Sequence, residues 1–301
     1  MIQRLDANTT RFLADLRDIN GRVERAQREV ASGRRINNAS DSPEDLSTLF
    51  QLRTELEFTR QVRSNLGRFR TEAQAAEQTL QSAVSLMDRA AVLGTQGANG
   101  TMSAEDRGIV AGEVEALLEQ MAGLARTKVE SRYIFSGNAD GQPPFTLDLT
   151  LDDPVSGYLG GAATREVMHP AGTAFSISKD AEEVFDNPDP DKNVFQAINS
   201  LRLALRDNDD DAIAAALERV QSAGGHLNQQ LASYGAVQNQ ISEATEFAYK
   251  QELRLETRLS EIEDTDLTEA ILELTQARHQ QETSLAVKAQ NRKISLFNYL
   301  G

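Results

Sequence analysis

Cysteine is absent from the 301 residues, and so is tryptophan. Without thiols the chain has no disulfide, no thiolate nucleophile and no thiolate-bound metal. Aromatic residues are 5% of the total, too few for one large globular core. Leu, Ile, Val and Ala beside 26% charged residues suit long helices packed along seams instead. Basic residues number 31 against 46 acids, a net charge of −15, which argues against nucleic acid or an anionic membrane as partner. No run approaches the ~18 apolar residues of a membrane span. The opening "MIQRLDANTTRFLADLRDING" has no apolar core followed by a cleavage site, so export requires a route without a cleaved leader.

Catalytic constellations are missing as well. His169, His226 and His279 stand apart, without metal-ligand spacing, and no GxSxG, P-loop or EF-hand is present. "GTQGANG" follows a helical pattern and reads as a helix-terminating loop, not a phosphate loop. Asp152–Asp153 and "DNDDD" at 207–211 read as turn and cap chemistry rather than calcium ligands. The expectation is a protein with no catalytic residue, no cofactor and no metal.

What the chain does have is heptads. Ile2, Leu5, Thr9, Phe12, Leu16, Ile19, Val23, Ala26 and Val30 alternate steps of three and four, and only Thr9 is polar. One helix cannot bury this seam alone, so it needs a partner helix. "VASGRRINNASDSPEDL", 30–46, interrupts it. Gly33 fits the position after a helix end, with Arg34 and Arg35 near the last carbonyls. Ser42 reads as the next N-cap, Pro43 as first helical residue, and Glu44 and Asp45 as first-turn acids. Gly33, Arg35, Asn37, Asp41 and Pro43 are therefore expected to form a hinge.

A second helix is predicted over about 43–94. A third opens at a Ser103–Asp106 capping box. Six of the seven prolines then fall between 143 and 190. "FTLDLTL", 145–151, alternates as a strand does, as does "TAFSIS", so 138–189 reads as a β-rich insert. Helix resumes at "NVFQAINSLRLAL", and a long helix starts near Asp210 or Asp211. "EDTDLTEA" breaks it, with Thr265 or Asp266 as cap. The last helix carries Leu267, Ala270, Ile271, Leu274 and Ala277, weakens at Gln281 and Ser284, and recovers as Leu285, Ala289, Ile294 and Leu296; Leu267, Ile271, Leu274, Leu285, Ala289 and Leu296 are expected to form its assembly seam. The layout is nearly palindromic. It predicts a mainly α fold: a long antiparallel helical bundle from both ends, with a small β-rich insert. The expected parts are a coiled-coil assembly domain (1–35 with 265–301), a helical bundle (42–137 with 190–263) and the insert. The two ends carry net charges of +3 (1–35) and +1 (267–301), and the remainder −19.

"VASGRRINNASDSPEDL" resembles the N-terminal hallmark of bacterial flagellins and their hook-associated relatives. "LELTQARHQQETSLAVKAQNRKISLFNYLG" is similar to their C-terminal one, a Gln/Ala-rich amphipathic helix with an apolar tail. "SRYIFSGN" resembles the GRYLFSG-type segment of hook-associated members. The resemblance covers about four-fifths of the chain. It implies a structural subunit of the extracellular flagellum, joining hook-associated proteins to the filament, or alternatively forming the filament itself. It further implies unfolded secretion through the flagellar type III apparatus with an export chaperone. Self-association would follow, with other axial proteins as partners, through terminal helices ordered on assembly. A helical signalling adaptor shares the long coiled coils but would carry a membrane span or receptor motif, and neither is present.

Overall fold

The computed structural model describes residues 7–162 and 165–297. These form α1 (Ala7–Ser32), α2 (Leu46–Gly97), α3 (Ala104–Ala125), β1 (Lys128–Val129), β2 (Arg132–Tyr133), β3 (Glu166–Met168), β4 (Ala174–Ser176), α4 (Ala181–Val184), α5 (Val194–Arg206), α6 (Asp210–Glu263) and α7 (Leu267–Phe297). The architecture is mainly α, with two small antiparallel ribbons, β1–β2 and β3–β4. Two compact units result: Met1–Phe58 with Gln251–Gly301, and Thr59–Lys250. The sequence reading divided the chain into three parts. The structure instead merges the insert with the bundle, because Phe145, Val155, Val184 and Phe185 enter the same core as the helices.

The larger unit is built around Leu80, Met87 and Leu93 of α2, Val114, Leu118 and Met121 of α3, Ile198, Leu201 and Leu205 of α5, and Ile213, Val220 and Leu227 of α6. "GTQGANG" ends α2 as expected, but three residues later than about 94, at Gly97. Gly94 and Gly97 lie inside α2, and a Cβ at Gly97 would collide with the Leu205 side chain. Those glycines admit α5 against α2. Ser103 does cap α3: its Oγ accepts from the Asp106 N–H at 3.1 Å, while the Asp106 carboxylate accepts from the Ser103 hydroxyl at 2.7 Å instead of from its N–H as in a full capping box. Two buried arginines pin the helices. Arg107 pairs with Asp210, and Arg202 with Glu115 at 2.9 Å.

"FTLDLTL" is not a strand. Only a single bridge, Leu147 to Val155, forms there. The Asp148 carboxylate accepts from the Thr150 N–H at 3.0 Å and from its hydroxyl at 2.6 Å, turning the chain before the alternation can be used. "TAFSIS" does supply β4, which pairs with β3 through Val167 opposite Phe175. Val167 and Ile177 join a second cluster with Val62, Leu66, Ile241 and Ala244.

"SRYIFSGN" anchors the insert. Phe135 is fully buried, edge-on to Phe185 at 5.5 Å, and Phe185 in turn stacks on Phe195. The Phe135 carbonyl accepts from the Ala181 N–H at 2.8 Å, and Ser136 Oγ donates to the Gln142 carbonyl at 2.9 Å. Just before it, the β1–β2 hairpin turns on Glu130 (φ 49°) and Ser131 (φ 69°). Both positions of such a tight turn favour Asn or Gly. The double substitution Glu130→Asn, Ser131→Gly should therefore stabilise the fold by about 1 kcal/mol, read as a rise in melting temperature. A fall would show that these side chains hold the hairpin.

Candidate assembly interface

The smaller unit carries the residues that the heptads single out. α1 runs antiparallel to α7, with Asn20 Oδ1 accepting from Gln281 Nε2 at 2.7 Å, Arg22 bridging Glu273 at 2.7 Å, and Lys288 near Thr9. Phe12, Leu16, Ile19, Val23 and Val30 are half-buried and Ala26 fully buried, all on the face turned to α7. Ile2 and Leu5 lie outside the described residues.

Opposite them α7 offers Ala270, Leu274, Ala277, Gln281, Ser284 and Lys288, again spaced four and three. The apolar seam does weaken at Gln281 and Ser284, as expected, but the packed face continues through them and Lys288 as a polar row. Of the residues expected on this seam, Leu274 packs inward, whereas Leu267, Ile271, Leu285 and Ala289 are exposed. The Leu296 side chain lies outside the described residues. The apolar row of α1 thus meets a half-polar one, in which Ala270, Leu274 and Ala277 are apolar, while Leu267, Ile271 and Leu285 of α7 stay exposed beside it. Lys288 lies over the Phe12 ring at 5.1 Å, beside a cleft of about 410 Å³ lined by Phe12, Leu16, Ser284 and Val287. Such a pair leaves apolar surface on both helices incompletely covered.

Where α1 ends, the chain is tied to the start of α7. Gly33 takes φ 69°, which a glycine adopts without strain. Its carbonyl accepts from the Thr265 N–H at 3.0 Å, and the Arg35 N–H donates to the Glu263 carbonyl at 2.7 Å, closing an Arg34–Asp264 bridge. The Glu263 side chain is 4% exposed and takes Arg34 at 2.8 Å and Arg53 at 2.9 Å on one oxygen. Arg35 donates to the Ile262 carbonyl at 2.8 Å and pairs with Asp45. The Asp41 carboxylate accepts from the Asn37 and Asn38 N–H groups, and Asn37 Nδ2 reaches the Arg34 carbonyl at 2.7 Å.

The expected hinge residues Gly33, Arg35, Asn37 and Asp41 thus all take part in one clasp. Pro43 is exposed in the turn before α2 rather than at its first position, because α2 begins at Leu46 with Asp45 as its cap residue. Sequence reading missed Glu263, Asp264 and Arg53. The signal was the acidic "EIED" preceding α7, matched in charge to "GRR" after α1.

Asp266 caps α7, accepting from the Thr268 N–H at 2.8 Å and the Glu269 N–H at 3.3 Å. Those bonds hold its carboxyl below the ordinary 3.8. The group is better ionised folded than unfolded, so its support is present above pH 3.8 and lost as pH falls through the lowered value. Acid titration should therefore fray the first turn of α7, read from the Thr268 and Glu269 amides. Asp266→Asn should flatten that dependence.

Among the described residues no group of three or more His, Asp or Glu is placed to hold a metal, and no helix is long and apolar enough to cross a membrane. Residues 6–140 match the bacterial flagellin N-terminal helical region, and 217–300 the bacterial flagellin C-terminal helical region. The chain is similar to the flagellar filament 30.7 kDa core protein of Treponema maltophilum, 26% identical across 90% of this chain and 89% of that one. It is also similar to flagellar hook-associated protein 3 of Salmonella typhimurium, 26% identical across 71% and 72%. Among solved structures, a putative flagellar hook-associated protein from Vibrio parahaemolyticus superposes with a TM-score of 0.66 at 18% identity, across 74% of this chain and all of that one. The two matched regions together span most of the sequence and include α1, α7 and the clasp. The chain belongs to the bacterial flagellin family and is a structural, non-enzymatic subunit of the flagellum.

Proposed function

We propose that this subunit sits at the hook-filament junction, joining hook-associated proteins to the filament through helical assembly of α1 and α7. The observation that carries this reading is "SRYIFSGN". It resembles the corresponding segment of the hook-filament junction protein, and its Phe135 is the buried pivot on which the insert rests. The partly covered α1–α7 pair supports assembly as the mode of action. Neighbouring copies would bury Leu267, Ile271, Leu285 and the half-exposed α1 row. The subunit would leave the cell unfolded, through the flagellar type III apparatus with an export chaperone, and act in the extracellular appendage. A filament role is the second reading, favoured by the match to a filament core protein over 90% of this chain.

Short preformed filament seeds separate the two. Purified chain that adds one or two layers and stops, seen by electron microscopy, supports the junction. Unlimited growth overturns it in favour of the filament.

A further inference from the structure

We propose that the clasp at Gly33–Arg35 and Glu263–Thr265 is a proximity device. It holds the root of α1 against the root of α7, so that the two helices meet as one unit. The contact between Asn20 and Gln281 spans 261 residues of chain. Leu52 and Leu56 of α2 pack on Leu255 of α6 and bring the two roots into one neighbourhood, but a free connector between α1 and α2 would still carry an entropy cost for a pair of helices whose shared seam is half polar. With the clasp closed, the only chain left to order is Asn20 to Gly33 on one side and Thr265 to Gln281 on the other. The pairing becomes effectively local, at high effective concentration.

Three features fit this role. The main-chain bonds are reciprocal: Gly33 accepts from Thr265, and Arg35 donates to Glu263. The Glu263 carboxylate is buried yet faces guanidinium groups from the α1 end (Arg34) and from α2 (Arg53), so one side chain fastens the connector to the body of the same unit. Asn37 and Asp41 then fold the chain after Arg35 into a fixed turn rather than a free joint. On the assembly reading above, the clasp presents α1 and α7 together to an acceptor.

The absence of cysteine makes this measurable. In full-length Asn20→Cys, Gln281→Cys chain at low concentration, the rate of intramolecular crosslinking by a short bismaleimide reports how often the helices lie side by side. Adding Glu263→Gln should slow crosslinking by about tenfold, as expected for loss of a charged hydrogen-bonded lock. The exposed-site change Arg34→Gln and the change Arg53→Met should each slow it in the same direction, which guards against a misfolded Glu263 variant. Unchanged crosslinking in these two variants, with Glu263→Gln either unchanged or unfolded by circular dichroism, overturns the proposal. The readout is independent of seeded growth. Clasp variants that crosslink slowly yet grow normally on seeds would support the clasp and count against its part in assembly, whereas an unmutated chain that never grows on seeds would overturn the assembly reading and leave the crosslinking result standing.

Discussion

Phe135→Ala should be the most damaging single truncation, costing about 3–5 kcal/mol and lowering the melting temperature of the larger unit on the order of 10 °C. The side chain is fully buried, its ring meets Phe185, and Phe185 stacks on Phe195. Collapse cannot refill the space cheaply, because the Phe135 backbone is fixed by Ala181 and the adjoining Ser136 by Gln142. Ile109→Ala is the control in the same unit. That side chain is 64% exposed on α3, and its removal should leave the melting temperature within a degree or two, as is usual for surface sites. Equal losses from both would mean that the aromatic cluster does not hold the insert to the helices.

The second large effect is on assembly. Ile19→Asp should abolish incorporation onto filament seeds while leaving the melting of the larger unit unchanged. Ile19 is half-buried against α7, so a carboxylate there also loosens the α1–α7 pair in the free chain. The sequence alone, taking the seam as unburied before assembly, predicts no such local loss. Leu285→Asp is the sharper partner experiment. Leu285 is 49% exposed at the edge of the packed face of α7, next to Ser284, so the free chain should tolerate the change, yet incorporation should still fail. If Leu285→Asp assembles normally, the exposed apolar edge of α7 is not an interface.

These two helices also show what a sequence discloses and what it withholds. The α1 seam was legible because nearly every position on the packed face is apolar at heptad spacing. The α7 seam was legible only in its first half, at Ala270, Leu274 and Ala277. Leu267, Ile271 and Leu285 look like part of the same row, while the face that meets α1 is completed by Gln281, Ser284 and Lys288; the hydrogen bond of Gln281 and the cation–π contact of Lys288 appear only once the partner is in place. The break at Gly33 was legible from local chemistry. Its closure by Glu263 was not, because the two segments meet across most of the chain. "FTLDLTL" misled for a local reason: Asp148 bonds to Thr150, two residues on, and competes successfully with strand pairing. The insert looked like a separate part since its composition changes at Pro143, yet Phe145 lies 4.9 Å from Phe195 of α5, inside the helical core. Composition marks where the chain changes character, but not where its side chains go.

On the proposed function, α1 and α7 carry assembly while the rest of the chain folds without them. The most direct test is a chain of residues 34–266, offered to filament seeds beside the full-length protein. The larger unit keeps its complete core in that fragment, since α2 from Leu46, α3, α5 and α6 are all retained. The expected product is a soluble, cooperatively melting monomer that never enters the assembly and does not compete with full-length chain. A fragment that incorporates, or one that fails to fold, would contradict it.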